Sequence, residues 1–383
     1  MTVAVPPADI ARALTETFAG RAAGYDRTGT FPHESVADLR EAGLLGLTVP
    51  RRLGGSGAGL ARAAEVVGAI GRADPATALV LSMQLLQHAL IHRPDSAWSR
   101  EVADKLGEEA VTAGALINAL RVEPELGTPS RGGLPATVAR RDGEGWRIAG
   151  RKIYATGAPG LAYGVVFVRT DEAHPRTGNV LVPFDALGVR IEESWDHLGL
   201  RASGSHDVVL EDVWVPADYA VDLRAPGAWP PDPWQQAWSC TLLSAIYDGV
   251  AQAAQDWFVR YLRERVPGSL GAPLASLPRF QEAVGENERL LAVNARLVAG
   301  LAAEVDAGNP PVPREAGFVK LTVTEGAIAA VQRAAELCGN AGLSRANPLE
   351  RHLRDVLCAR IHWPQADAVH TAAGKAALGA ELR

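Results

Sequence analysis

The sequence predicts a three-part α+β protein: an N-terminal α-helical domain over residues 1–114, a small antiparallel β-barrel or sandwich over 115–232, and a C-terminal four-helix bundle over 233–383. Three observations predict it. The spacing of apolar residues shortens from three or four to two near Ala115 and lengthens again near Pro233. Gly, Pro and Asp punctuate the middle third at short intervals, as turns between strands do. A chain of 383 residues also exceeds what one hydrophobic core usually serves.

The elements follow in order. ADIARALTETFAGRAAGY (8–25) and ESVADLREAGLLG (34–46) repeat apolar residues at helical spacing, with Ser35 in position to cap the second. Pro50, Gly54, Gly55, Gly57 and Gly59 make a loop, and helical texture resumes near Leu60. ATALVLSMQLLQHALI (76–91) is shorter than the ~20 residues of a membrane span and contains Gln84, Gln87 and His88, so it reads as a buried helix. GWRIAGRKIYATG, YGVVFVRTD, NVLVPFD, GVRIEESWD and HDVVLEDVWVP then alternate as short strands between Ala115 and Pro216. Three long helical runs begin near Trp234, Phe280 and Glu315.

Composition narrows the function. With a net charge of -6 and 21% charged residues, the chain has no basic surface for nucleic acid, and no run suggests a membrane span. Cys240, Cys338 and Cys358 lack paired spacing, and the N-terminus lacks the order of a signal peptide; a reducing, cytoplasmic setting is the expectation.

VPRRLGGSGAGLARAAEVVGAIGRADPATALVL, LGLRASGSHDVVLEDVWVP and ELCGNAGLSRANPLERHLRD, in this order, resemble the acyl-CoA dehydrogenase superfamily over nearly the whole chain. The resemblance implies that fold, a flavin (FAD, or FMN) between the β domain and the C-terminal helices, and a homotetramer built as a dimer of dimers. NALRVEPELGTPSRGG (118–133) resembles the family's flavin loop, which points to Asn118, Val122, Gly127 and Thr128 as cofactor contacts. KIYATGAPG carries over an aromatic residue and a hydroxyl near the flavin ring as Tyr154 and Thr156. Arg263 or Arg265 stands where the family places a pyrophosphate-binding arginine. Gly339, Asn340 and Gly342 fit the adenosine part of a neighbouring subunit's flavin, and Arg354 belongs to the family's Arg-Asp pair.

A dehydrogenase of this family abstracts an α-proton with a glutamate. The position after Arg354-Asp355 falls near Trp363, within VLCARIHWPQ, and the alternative falls near Ser239; neither holds a carboxylate, and Asp248 is two turns away. A second branch resembles the chain better at this point. Its flavin-dependent monooxygenases take reduced flavin from a reductase, form a C4a-hydroperoxide with O₂ and need hydrogen-bond donors instead of a base. His88, His362 and His370 are the candidate donors. His88 and His92 are four apart on one helix, but no third ligand is indicated and no metal is expected.

The expectation is thus a flavin-dependent, monooxygenase-like enzyme acting on a small molecule, an acyl-CoA among the candidates. A flavin reductase or electron-transfer flavoprotein would be its partner. The alternatives are an acyl-CoA dehydrogenase with a displaced base and a non-catalytic flavin-binding homologue.

Overall fold

The computed structural model describes residues 5–125 and 133–379. Gly127 and Thr128 lie outside the described residues.

Among the described residues, the first third holds five α-helices: α1 (Pro7–Thr28), α2 (His33–Glu41), α3 (Leu60–Ala73), α4 (Pro75–Ile91) and α5 (Arg100–Thr112). Helix α4 is buried on almost every side, which explains its unbroken apolar sequence. Asp74 starts it, accepting from the Ala76 amide at 3.1 Å and the Thr77 hydroxyl at 2.6 Å. Helix α3 is capped from a distance, for the amides of Leu60 and Ala61 donate to Asp306 at 2.7 and 3.0 Å. The Ser35 expectation is corrected: α2 starts two residues earlier, behind Pro32, and the Ser35 hydroxyl is buried without a partner.

The middle of the chain forms an eight-stranded sheet: β1 (Leu116–Leu120), β2 (Val138–Asp142), β3 (Gly145–Ala155), β4 (Leu161–Thr170), β5 (Thr177–Pro183), β6 (Val189–Glu192), β7 (His206–Pro216) and β8 (Ala220–Arg224). The order is β6-β7-β3-β2-β4-β5-β8, with β1 beside β4. Antiparallel pairing dominates as expected, yet β1 and β2 both run parallel to β4. Periodicity reveals strands but not the direction in which they pair, so this mixture was invisible in the sequence.

Beyond the sheet come α6 (Pro233–Glu264), α7 (Pro278–Asp306) and α8 (Pro313–Cys338), each close to its sequence-predicted run. Short helices α9 (Asn340–Leu343), α10 (Leu349–Leu357) and α11 (Ala366–Ala377) follow. The fourth place in the bundle is therefore taken by a broken element, with α10 and α11 separated by the turn that contains a cis Trp363–Pro364 bond. Helix α6 also crosses α3 at backbone contact: a Cβ on Gly249 would lie 2.6 Å from the Gly68 carbonyl oxygen and 2.8 Å from the Arg72 nitrogen. No helix among the described residues is long and apolar enough to cross a membrane.

Candidate functional site

The segment just past β1 is joined to β3 by a buried ion pair. Glu123 accepts from Lys152 Nζ at 2.6 Å, from the Thr137 hydroxyl at 2.6 Å, and from the amides of Ala136 and Thr137 at 2.6 and 3.0 Å. Both side chains are almost wholly excluded from solvent, at 0% and 2% exposure, and Lys152 also donates to the Phe167 carbonyl. Burial pushes the lysine down to about 8 and opposes ionisation of the glutamate; the lysine and Thr137 hydrogen bonds nevertheless hold Glu123 below its ordinary value. The pair is charged at neutral pH. It ties both ends of the 124–135 segment to β3, while the Val122 carbonyl accepts from the Ile153 amide at 3.0 Å.

The end of β3 presents one side chain outward by an unusual backbone turn. Tyr154 has φ +59°, is 53% exposed and packs edge-on against Trp195 and His197, whose rings stack at 3.6 Å. Thr156 begins a line of hydroxyls, with its Oγ1 3.0 Å from Ser205 and Ser205 2.8 Å from Ser203. Asn118 on β1 donates to the Thr156 carbonyl at 3.0 Å and fixes it from the other side.

The segment between β6 and β7 carries this strand end to the C-terminal helices. The Leu200 amide donates to Asp355 at 2.7 Å, and a Cβ on Gly199 would come 2.4 Å from the Arg354 carbonyl oxygen. Burial pushes Asp355 up to about 7. Past α10 lies the His362-Trp363-Pro364 turn, held by one ammonium: Lys320 on α8 donates to the carbonyls of Ala359, His362 and Pro364 at 2.9, 3.0 and 3.2 Å. The His362 ring lies 5.8 Å from that of Tyr247 on α6. The His362 Nε2 and the Tyr247 hydroxyl are both buried without a partner. Desolvation pushes His362 down to about 4 and Tyr247 well above its usual value, so both are neutral around pH 7.

The other expected residues disperse. His88 is buried on α4, stacked on His92 at 5.8 Å with neither nitrogen partnered, and burial pushes it down to about 3. His370 is exposed on α11, and Arg263 and Arg265 are exposed at the end of α6. Gly339 has φ +54° between α8 and α9, next to Asn340; Gly342 is buried because a Cβ would lie 2.6 Å from the Ala335 carbonyl oxygen. Arg354 donates to Asp26, Glu350 and the Leu198 carbonyl, a tether between α1 and α10. Asp248 is held by Asn294 at 2.9 Å and Gln252 at 2.6 Å in the contact with α7.

Sequence reasoning missed Ser203, Ser205, Tyr247 and Lys320. Tyr247 and Lys320 lie inside helical runs where nothing marks them.

Comparison with known proteins matches the three parts separately: the N-terminal domain model of acyl-CoA dehydrogenase at residues 8–96, the middle domain model at 122–213 and the C-terminal domain model at 241–364. A putative acyl-CoA dehydrogenase of Bacillus subtilis, YdbM, is 35% identical over 93% of this chain and 92% of its own. L-evernosamine nitrososynthase of a Micromonospora species is 32% identical over 96% of this chain and 89% of its own. The structure of KijD3 in complex with FMN and an amino-bearing dTDP-linked keto sugar superposes with a TM-score of 0.86 at 29% identity, covering 98% of this chain and 95% of that one.

Proposed function

This chain belongs to the acyl-CoA dehydrogenase family, whose members are flavin-dependent enzymes, and from that premise we propose that it oxygenates a small molecule with reduced flavin and O₂ instead of desaturating an acyl thioester. One observation carries the reading. Where a proton-abstracting carboxylate is expected, the chain supplies His362 beside Tyr247, two neutral groups with unpaired polar atoms. The nearby carboxylates are committed elsewhere, Asp355 to the Leu200 amide and Asp248 to Asn294 and Gln252.

The described residues fit a flavin. Thr156 offers a hydroxyl at a strand end, Tyr154 an outward aromatic ring, and the Glu123–Lys152 pair fixes the backbone beside Val122. FAD and FMN both suit this set; Arg263, Arg265 and the Gly339–Gly342 segment would hold the phosphate and adenosine end of the longer one. When bound, the flavin supplies two-electron chemistry and, once reduced, reactivity toward O₂. His362 and Tyr247 hold neutral N–H and O–H donors in surroundings that exclude water, where such donors act most strongly on a developing oxyanion. Thr156, backed by Ser205 and Ser203, would orient a hydroxyl toward the flavin.

The relative named for L-evernosamine and the KijD3 complex make an amine the substrate class to test first. Electrons would come from a separate flavin reductase. The experiment has two arms. Flavin-loaded protein mixed anaerobically with butyryl-CoA is expected to keep its colour, and reduced protein mixed with O₂ to reoxidise rapidly. His362→Ala should slow that reoxidation by about 10²-fold, the lower end for one acid–base group. Bleaching by butyryl-CoA with release of an unsaturated thioester would sink the oxygenase reading and establish the dehydrogenase.

A further inference from the structure

Arg351, the third residue of α10, is 93% removed from solvent by its 7% exposure, and its Nε is buried without a hydrogen-bond partner. Guanidinium groups this deep are ordinarily matched by a carboxylate or phosphate, because an unmatched buried charge is costly. Its neighbours offer no match. Asp74 and Asp355 feel its charge, but Asp74 caps α4 and Asp355 accepts from Leu200.

The side chain forms part of the wall of a cavity of about 440 Å³ between α1, the segment before β7 and the start of α10. The cavity's charges do not balance. Its two carboxylates, Asp26 and Glu350, are both taken by Arg354. Arg201 pairs with Asp196 at 3.0 Å. Arg27 and Arg345 at the mouth, and Arg351 within, make no ion pair among the described residues. The N-terminus of α10 opens on the same space through Pro348 and Glu350, and no side chain caps it. Three unmatched guanidinium groups around free helix amides are the donor set for a multiply charged tetrahedral anion rather than a single carboxylate.

We propose that this cavity binds a phosphate-bearing small molecule, with Arg351 and the first turn of α10 holding the phosphate, and Arg27, Arg345 and Asn347 at the rim contacting the remainder. This site is additional to the flavin and substrate contacts around Thr156 and His362.

Calorimetric titration of the FAD-saturated protein with inorganic pyrophosphate tests it. The expected result is saturable binding of one pyrophosphate per chain, with succinate binding at least tenfold more weakly. Arg345→Glu, a change at an exposed position, should weaken pyrophosphate binding at least tenfold. Arg351→Met should abolish it while circular dichroism remains native; if that variant does not fold, Arg27→Glu joins Arg345→Glu as the second probe. Absent saturation, equal affinity for succinate, or unchanged affinity in the rim variants would each overturn the proposal. Binding seen only before FAD is added would overturn it too, because the cavity would then be receiving the flavin's own diphosphate.

Discussion

Glu123, buried, collects hydrogen bonds from Lys152, Thr137 and two backbone amides, and among the described residues its partner has one further acceptor, the Phe167 carbonyl. Removing one charge from such a pair leaves the other buried and uncompensated, so Glu123→Gln should cost about 3–5 kcal/mol, read by urea unfolding. Glu123→Gln with Lys152→Met should recover part of that loss; a double variant as unstable as the single would show that the cost lies in the backbone contacts instead. At this scale the sequence was only half legible. Glu123 could be picked out through its resemblance to the flavin loop, but its work as a structural anchor could not, because its partner is 29 residues away. Thr156 was visible and its support from Ser205 was not. Arg354 was marked out by its motif, but its pairing was not, because the carboxylate that shares it most fully, Asp26, comes from the other end of the chain.

Among the elements, the long helices and five of the strands were legible because each buries one consistent face or is buried throughout. Strands β1, β2 and β8, five residues each, were not singled out in the sequence. The contact of α3 with α6 depends on residues that have no side chain to signal it. Gly249 and Gly71 let the two backbones meet, a Cβ on Gly71 coming 2.9 Å from the Ile246 carbonyl oxygen. Gly249→Ala must push the helices apart and should destabilise by about 1–3 kcal/mol, while Gly285→Ala on α7, where a Cβ would meet nothing within 4 Å, should be neutral or slightly stabilising. Thermal unfolding of the two variants side by side checks the contrast. Equal shifts would mean that helix propensity, not the crossing, governs both.

For the whole molecule, several groups titrate differently in the folded and unfolded states. Burial pushes His88 and His352 down to about 3 and His92 and His362 down to about 4, whereas the unfolded chain binds these protons near 6.5. Between about pH 4 and 6.5 the unfolded state therefore holds more protons, and these four groups make stability rise with pH. Asp355, pushed up to about 7, works in the opposite direction from about pH 4 to 7, and burial raises Asp74 and Asp248 as well; the lowered histidines, His197 and His206 among them, outnumber these three. The melting temperature should fall as pH drops from 7 to 5, and His352→Phe should flatten that dependence; a melting temperature as high at pH 5 as at pH 7 would contradict the assignment. One feature of the molecule also bears on its history. Lys320 grips the Ala359–Pro364 turn through three main-chain oxygens, which every amino acid provides, so folding places little demand on the identity of the residues displayed there. A lineage can exchange an acid for an imidazole at such a turn without rebuilding its neighbourhood, and in this architecture a change of chemistry is within reach of a few codons.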